Sequence, residues 1–394
     1  MMLHFEVSAA EFCSADQLDQ TAKIVNFFSI DENLQRPDAS ISILSSAKIH
    51  SGQVLRSPAG MPCSNFTGMG GLKCCHLQLA LSKGRLLMNK LNPFQFIQGQ
   101  LQDKYNRVIY FPNPGNLGDA LIAAATVQQF EKYGIEYSIA SNDYFKNYDP
   151  SFLYVYGGGG NLIPAYPSCR TVLERLSSLG ATAIVLPHST YGMDKLLSGY
   201  GGDLFFFCRE RPSFRRVSAS INQGGAYLYD DVALSLDLSD NRFSRLKFMR
   251  KMLRQASQSR PDPVSAQGGA TLFAFRKDGE TTGIAERLRG LGRPNFDLSS
   301  SLPTKGVVQA FLLNTPALFE SISWFLSYIS TADKIYSDRL HVCIAALLLG
   351  KRVFAYDNNY GKLNAVANFS LNKRFSNRLT VVQPSDPSYE DIFR

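Results

Sequence analysis

The sequence predicts an α/β protein of two parallel-sheet lobes behind an N-terminal extension. Three observations carry this. From Arg107 onward, short apolar runs alternate with helix-length segments, the pattern of βα units whose sheet is buried on both faces. The alternation breaks once, across residues 236–269, and then resumes. Residues 8–70 carry many Ser, Ala, Gln and Asn and no sustained period.

Residues 1–104 read as a partly ordered extension, with weak helices near 22–28 and 77–91 around the flexible break Gly68-Met69-Gly70-Gly71. The first lobe covers 105–240. Its expected strands are 107–111, 137–139, 152–156, 181–186, 204–208 and 226–229. A turn-rich loop over 112–118 leads to a helix that Asp119 opens, running to about 133 with Leu121, Ile122, Ala125 and Phe130 on its apolar side. A second helix follows over 169–178. Residues 241–269 form a linker: a basic helix at 242–257, then a polar stretch rich in Pro and Gly. The second lobe covers 270–394, with strands at 271–275, 295–298, 334–336, 352–356 and 379–382 and helices at 281–290, 316–330, 339–349 and 362–369. Two Rossmann-like lobes facing across a cleft make a GT-B-like arrangement.

Composition bounds the function. Of 394 residues, 45% are hydrophobic and 19% charged, enough apolar side chain for folded cores. No apolar run reaches the ~18 residues that span a bilayer. The first residues have neither a cationic nor a long apolar region, so no secretory signal is expected. The net charge of +8 calls for an anionic partner. No run of five Lys or Arg occurs, which argues against nucleic acid. Seven cysteines, odd in number and irregularly spaced, fit a reducing cytoplasm better than a disulfide framework. Cys63 with Cys74-Cys75-His76 matches no common zinc spacing, so no metal is expected.

In open parallel sheets, ligands bind beyond the carboxyl ends of strands. After the first strand stands Gly115-Asn116-Leu117-Gly118-Asp119, where backbone can approach a ligand and helix N–H groups face an anion. It lacks the Gly-Lys-Ser/Thr ending of a P-loop. Asp119 reads equally well as a helix cap. After the third strand stands Gly157-Gly158-Gly159-Gly160-Asn161, a costly glycine run unless backbone needs close approach or positive φ. Pro187-His188-Ser189-Thr190 puts a candidate acid or base at a strand end. Arg209-Glu210-Arg211 offers bidentate anion binding, or a surface ion pair. In the second lobe, Ser337 or Asp338 can cap a helix whose first turn holds Arg339 and His341, a setting for phosphate or carboxylate. Asp357-Asn358-Asn359-Tyr360-Gly361-Lys362 follows the next strand.

These segments occur in a telling order. Asn113-Pro114-Gly115-Asn116-Leu117-Gly118-Asp119, Tyr156 to Asn161, Leu186-Pro187-His188-Ser189, Arg209-Glu210-Arg211, Asp231-Val232-Ala233-Leu234-Ser235-Leu236, Ser337-Asp338-Arg339-Leu340-His341 and Asp357 to Lys362 together resemble the polysaccharide pyruvyl transferase family, in particular its bacterial exopolysaccharide branch. The resemblance spans residues 105–370. It implies phosphoenolpyruvate as donor substrate, no cofactor, a GT-B-like fold, and pyruvate placed on two sugar hydroxyls as a cyclic ketal with release of phosphate. Arg339 and His341 would hold the donor's phosphate or carboxylate, with the Leu340 backbone nearby. His188 would lie across the cleft. Arg209, or else Arg211, would pair with a donor anion. Gly115, Asn116, Gly118, Gly158, Gly159 and Asn161 would shape the floor, with Asn358 and Lys362 opposite. One position departs from the pattern: many bacterial members have Gln where His188 stands.

Ketal formation needs an acid for the donor's methylene carbon, a base for the sugar hydroxyls and cations for the donor's charge. His188 and His341 are candidate acids and Asp119 a candidate base. The expected acceptor is an exopolysaccharide repeat unit on a lipid carrier, met in the cytoplasm at the inner face of the plasma membrane. Two other readings fit the architecture: a nucleotide-sugar glycosyltransferase, for which no ribose-gripping carboxylate stands out, and a non-catalytic glycan-binding or assembly protein, which would not need Arg209, Arg339 and His341.

Overall fold

The computed structural model describes residues 91–140, 148–244, 270–279, 281–301, 315–357 and 361–394, with Leu246 and Met249 besides. The expectations for the extension up to residue 90, most of the basic linker helix, and Asn358 fall outside the described residues.

The first lobe holds α1 (Pro93–Asp103), β1 (Arg107–Phe111), α2 (Leu117–Lys132), β2 (Tyr137–Ile139), β3 (Phe152–Tyr156), β4 (Gly159–Leu162), α3 (Pro167–Ser178), β5 (Ala183–Thr190), α4 (Asp194–Ser198), β6 (Leu204–Cys208), α5 (Arg211–Ser220) and β7 (Gly224–Leu228). Its parallel sheet runs β2-β1-β3-β5-β6-β7, with β4 also on β5. Helix α1 falls in the stretch assigned to the extension, yet it packs on this lobe. Its Phe96 ring lies 4.9 Å from Phe205 and 6.0 Å from Phe207, and Ile97 is buried.

Two local departures shape the site. Strand β5 runs four residues beyond the expected end, to Thr190, and all eight of its residues are buried. Where β3 stops pairing with β5, β4 takes its place, with Gly159 opposite His188 and Leu162 opposite Thr190. The four-glycine run is therefore a kink in one flank of β5. Gly159 has φ +143° there, a conformation that favours glycine.

The second lobe holds β8 (Thr271–Phe273), α6 (Ile284–Gly290), α7 (Leu298–Ser301), α8 (Thr315–Ser330), β9 (Lys334–Ser337), α9 (Leu340–Leu348), β10 (Arg352–Tyr356), α10 (Lys362–Val366), α11 (Asn372–Phe375) and β11 (Leu379–Val382). The parallel sheet runs β11-β10-β9-β8. The strand expected at 295–298 does not form. The Asn295 side chain takes both the N–H and the carbonyl of Phe275, at 2.9 and 3.0 Å, and the chain turns into α7. Side-chain bonding here replaces ladder pairing.

The lobes share one core. Helix α2 carries no narrow apolar stripe: it is Ala-rich and buried on nearly every side. Its outer face is covered by α8 and α9 of the second lobe, so Leu121 and Ala124 belong to one apolar cluster with Ile322, Phe325 and Ile344. A helix apolar all round is an interior helix. The packing sets the N-termini of α2 and α9 against each other. Cys169, Cys208 and Cys343 are free and buried.

Candidate active site

The start of α2 is built by a capping box. Asn116 Oδ1 accepts the Gly118 N–H at 2.8 Å, and Asp119 Oδ2 accepts the Asn116 N–H at 3.1 Å. The cap is thus Asn116, and Asp119 stands three residues on instead of opening the helix. Its other oxygen accepts from Asn113 Nδ2 at 2.8 Å. Asn161 Nδ2 in turn donates to Asn113 Oδ1 at 2.5 Å. A Cβ at Gly115 would strike the Asp119 carboxylate, and one at Gly159 would strike Asn113. Gly158 lies against the Pro187 carbonyl. Burial pushes the Asp119 carboxyl above its ordinary range, while His341, the Asn116 N–H, Arg209 and Lys362 pull the other way.

His341 reaches this point from the second lobe. Its helix starts one residue earlier, at Leu340, whose side chain packs on the shared core. The imidazole lies on Gly118: a Cβ there would stand 2.9 Å from both Cβ and Cγ of His341. His341 Nε2 is 3.5 Å from Asp231 Oδ2 and 3.3 Å from Arg209 Nη1.

Arg209 is 1% exposed. Its Nη1 pairs with Asp231 at 2.6 Å, and its Nε donates to Ser189 Oγ at 2.9 Å. Burial would raise the Asp231 carboxyl, yet Arg209 and His341 hold it well below the usual carboxylate range. Arg209 Nη2 and Lys362 Nζ both face Gly160, where a Cβ would lie 2.7 and 2.5 Å from them. Two carboxyls, one imidazole and two cations thus meet where the lobes join.

Beside Gly160 and Lys362 opens a cavity of about 300 Å³. Ser189, Thr190 and Arg216 line it from the first lobe, and Gly361 and Lys362 from the second. Arg216, not Arg211, brings the basic side chain of α5 to this space. Arg211 is exposed on the first turn of α5. Among the described residues, no three His, Cys, Asp or Glu side chains gather as metal ligands.

His188 does not suit an acid–base role. It is fully buried, and its Nε2 accepts the N–H groups of Asn161 and Leu162 at 3.1 and 3.2 Å. Its Nδ1 faces the Gly157 carbonyl at 3.3 Å. Two donors at Nε2 require a neutral ring protonated at Nδ1. Burial, reinforced by the charge of Arg209, pushes its pKa well below the ordinary histidine range. His188 therefore pins the glycine kink from inside β5.

Arg339 also differs from expectation. Its Nε and Nη2 each bond an oxygen of Asp297 at 2.6 Å, and Nη2 reaches Asp278 at 2.9 Å. The guanidinium points into its own lobe, away from His341, and anchors the start of α9. Arg339→Ala leaves Asp297, itself 3% exposed, without its bidentate partner. The expected cost is ~3–5 kcal/mol of stability, read from urea unfolding.

Neither Ser337 nor Asp338 caps α9, whose cap position is Arg339 with no side-chain cap bond. The Ser337 hydroxyl accepts the Arg339 N–H at 3.0 Å, while Asp338 accepts from the Arg276 N–H and the Thr282 hydroxyl. Burial pushes the Asp338 carboxyl up to about 6, against those two bonds and the charges of Arg276 and Arg339. A carboxyl raised on folding holds its proton more tightly when folded, so its contribution declines as pH rises from 3.8 to about 6. Asp338→Asn cannot ionise: its amide oxygen accepts from the Arg276 N–H, and its NH2 donates to the Thr282 hydroxyl. Relative to the unchanged protein, it should gain roughly 2 kcal/mol between pH 4 and pH 7, measured by urea unfolding at each pH.

Asn113, Asp231 and Arg216 join the site beyond the residues singled out from sequence. Asp231 and Asn113 lie in the quoted motifs, and a charged or amide residue just past an apolar strand was the signal for each. Arg216 had none: it is the second of two adjacent arginines within a helix.

Comparison with known proteins agrees with this architecture. A crystal structure of an uncharacterized protein from Klebsiella pneumoniae superposes with a TM-score of 0.55 at 24% identity, covering 74% of this chain and 99% of that one. This similarity concerns the fold. No curated protein matches. The sequence profile of the polysaccharide pyruvyl transferases matches residues 116–360, from the Asn116 cap through the loop before Lys362. That span is more than half of the chain and holds Asp119, Arg209, Asp231 and His341, so the protein belongs to the polysaccharide pyruvyl transferase family.

Proposed function

We propose that the protein moves pyruvate from phosphoenolpyruvate to two hydroxyls of an exopolysaccharide repeat unit, forming a cyclic ketal and releasing phosphate. The observation that carries this reading is the meeting of Asp119 with His341, Arg209 and Lys362 beside the cavity. Burial shifts the Asp119 carboxyl toward the protonated form that an acid needs, and the cations suit a triply charged donor.

In this reading Asp119 protonates the donor's methylene carbon, and positive charge develops on the carbon that bears phosphate. A first sugar hydroxyl attacks that carbon and gives its proton to His341, whose imidazolium is steadied by Asp231. The carbon–oxygen bond to phosphate breaks, and Lys362 with the outer nitrogen of Arg209 receives the departing anion. A second hydroxyl closes the ring and loses its proton. One proton ends on the methyl group and one on phosphate, balancing the two lost from the hydroxyls. This reading makes Asp119 the acid and His341 the base, the reverse of the roles expected from sequence. The net charge of +8 suits an anionic donor and a diphosphate-linked acceptor at a membrane surface. No helix among the described residues is long and apolar enough to cross a membrane.

The test supplies phosphoenolpyruvate with synthetic lipid-linked oligosaccharides and follows phosphate release and acceptor mass. Phosphate release matched by pyruvate gain on the acceptor is the expected result. Turnover of a nucleotide sugar in its place would overturn the reading. His188 gives a second check. A Gln amide offers an oxygen to the Asn161 and Leu162 N–H groups and an N–H to the Gly157 carbonyl, as His188 does. His188→Gln should keep activity within about tenfold, whereas His188→Ala orphans buried donors at ~1–3 kcal/mol and loosens the kink. Equal loss in both variants would restore an acid–base role to His188.

A further inference from the structure

Two tyrosines that line this cavity take no part in the proposed chemistry. Tyr166 and Tyr191 line it and are 39% and 41% exposed, among the most exposed large apolar side chains described. A single exposed tyrosine means little, but two that line one cavity together with Arg216 and Lys362 offer aromatic surface to what enters it.

Both side chains stand on rigid supports. Tyr166 sits in a tight turn whose N–H donates to the Ile163 carbonyl at 3.1 Å, and Pro167 begins α3 directly after it. Tyr191 follows Thr190, which is fixed on three sides. Its N–H donates to Ser213 Oγ at 2.8 Å, its hydroxyl to the Leu162 carbonyl at 2.7 Å, and its carbonyl accepts from Arg216 at 3.3 Å. The two turns touch: a Cβ at Gly192 would lie 3.2 Å from Pro164 Cγ. Gly192 also has φ +68°, which favours glycine. Their backbones leave little ordering to lose on binding.

We infer that Tyr166 and Tyr191 form a stacking platform for a pyranose ring of the saccharide acceptor. This placement rests on the pyruvyl-transfer reading for the identity of the acceptor. A pyranose has an apolar C–H face and a hydroxyl rim. Tyrosine matches both, with an apolar ring for the face and a polar tip for the rim. Gly160 and Lys362, which line the same cavity, adjoin the acid–base cluster. A ring stacked on the tyrosines would share the cavity with Lys362, while Ser189 and Arg216 supply polar contacts. A phosphoenolpyruvate molecule alone has no face to cover two tyrosines, so they suit the acceptor.

The experiment titrates the full chain with a panel of hexopyranose di- and trisaccharides by saturation-transfer NMR, and separately with phosphoenolpyruvate. Tyr166→Ala and Tyr191→Ala should each weaken saccharide binding about tenfold or more and leave donor affinity within twofold. Tyr191→Phe keeps the ring and should bind within about threefold of the unchanged protein. Unchanged saccharide affinity in both alanine variants, no saccharide binding by the unchanged protein, or an equal loss of donor affinity would each overturn the platform. Tyrosine-dependent saccharide binding without pyruvyl transfer would uphold the platform and defeat the proposed function. Transfer with an unaltered acceptor KM in both alanine variants would do the opposite.

Discussion

Asp119→Asn should lower turnover by about 10²–10⁴-fold while donor affinity changes only a few-fold, because the substitution removes a proton donor and leaves the cations in place. Asparagine fits the same space and can still accept from Asn113 through its amide oxygen. Its NH2 then faces the Asn116 N–H, which the carboxylate oxygen accepts at 3.1 Å in the unchanged protein. Losing that half of the capping box should cost about 1 kcal/mol. The two consequences separate the two uses of this residue. If Asp119 only caps α2, the variant loses stability and keeps its turnover above the melting shift. If it is the acid, turnover collapses in a protein that is still folded. The pH dependence adds a second reading. A general acid must carry its proton, so kcat/KM in the unchanged protein falls as pH rises through the raised pKa of Asp119. That descending limb should move in Asp119→Glu and vanish with the residual activity of Asp119→Asn.

Gly118→Ala should be nearly as damaging, through one methyl group. A Cβ at this position would meet the Cβ and Cγ of His341 at 2.9 Å, atoms held by the α9 backbone and not at the loose end of a side chain. The imidazole must therefore tilt off α2, away from Asp231 and Arg209. A displacement on the order of 1 Å costs about 10²-fold where reacting groups need alignment. The fold should survive, since alanine is a better helix former than glycine. A double-mutant cycle identifies the cause. Gly118→Ala combined with His341→Ala should be no slower than His341→Ala alone, because the methyl has nothing left to push. Additive losses would show that Gly118 acts through something other than His341.

The fold was legible where the chain obeys simple periods. Arg107–Phe111, Phe152–Tyr156, Leu204–Cys208 and Arg352–Tyr356 lie within the strands expected, because buried parallel strands are short apolar runs. The misread strands failed for local reasons. Pro187 and His188 look like a loop, yet β5 continues through them because β4 offers a new partner after the kink. Asn295 and Asp297 sit in an apolar stretch, but each is claimed by a side-chain bond that breaks the ladder.

The site was legible as a set of motifs and not as a set of contacts. Sequence order brought Asp119, Arg209 and His341 together on one list; the packing of α2 against α9 sets His341 beside Asp119, and Arg209 reaches His341 from the end of β6. Sequence could not show which way a side chain points. Arg339 and His341 are two residues apart, yet one turns to Asp297 and the other to Gly118. His188 and Arg209 stand at neighbouring strand ends, but only Arg209 reaches the cluster. Tyr166 and Tyr191 carry no motif at all, since an exposed aromatic at a loop has meaning only beside a cavity.

The central claim is that this cluster protonates the donor's methylene carbon and passes the resulting pyruvyl group to a sugar. Running the reaction in D2O with phosphoenolpyruvate and acceptor tests it directly. Proton transfer to the methylene carbon predicts one deuterium in the methyl group of the ketal for every phosphate released, and both products formed about 10²–10⁴-fold more slowly by Asp119→Asn. Phosphate released with no deuterated methyl on the acceptor, or an equal rate from Asp119→Asn, would contradict it.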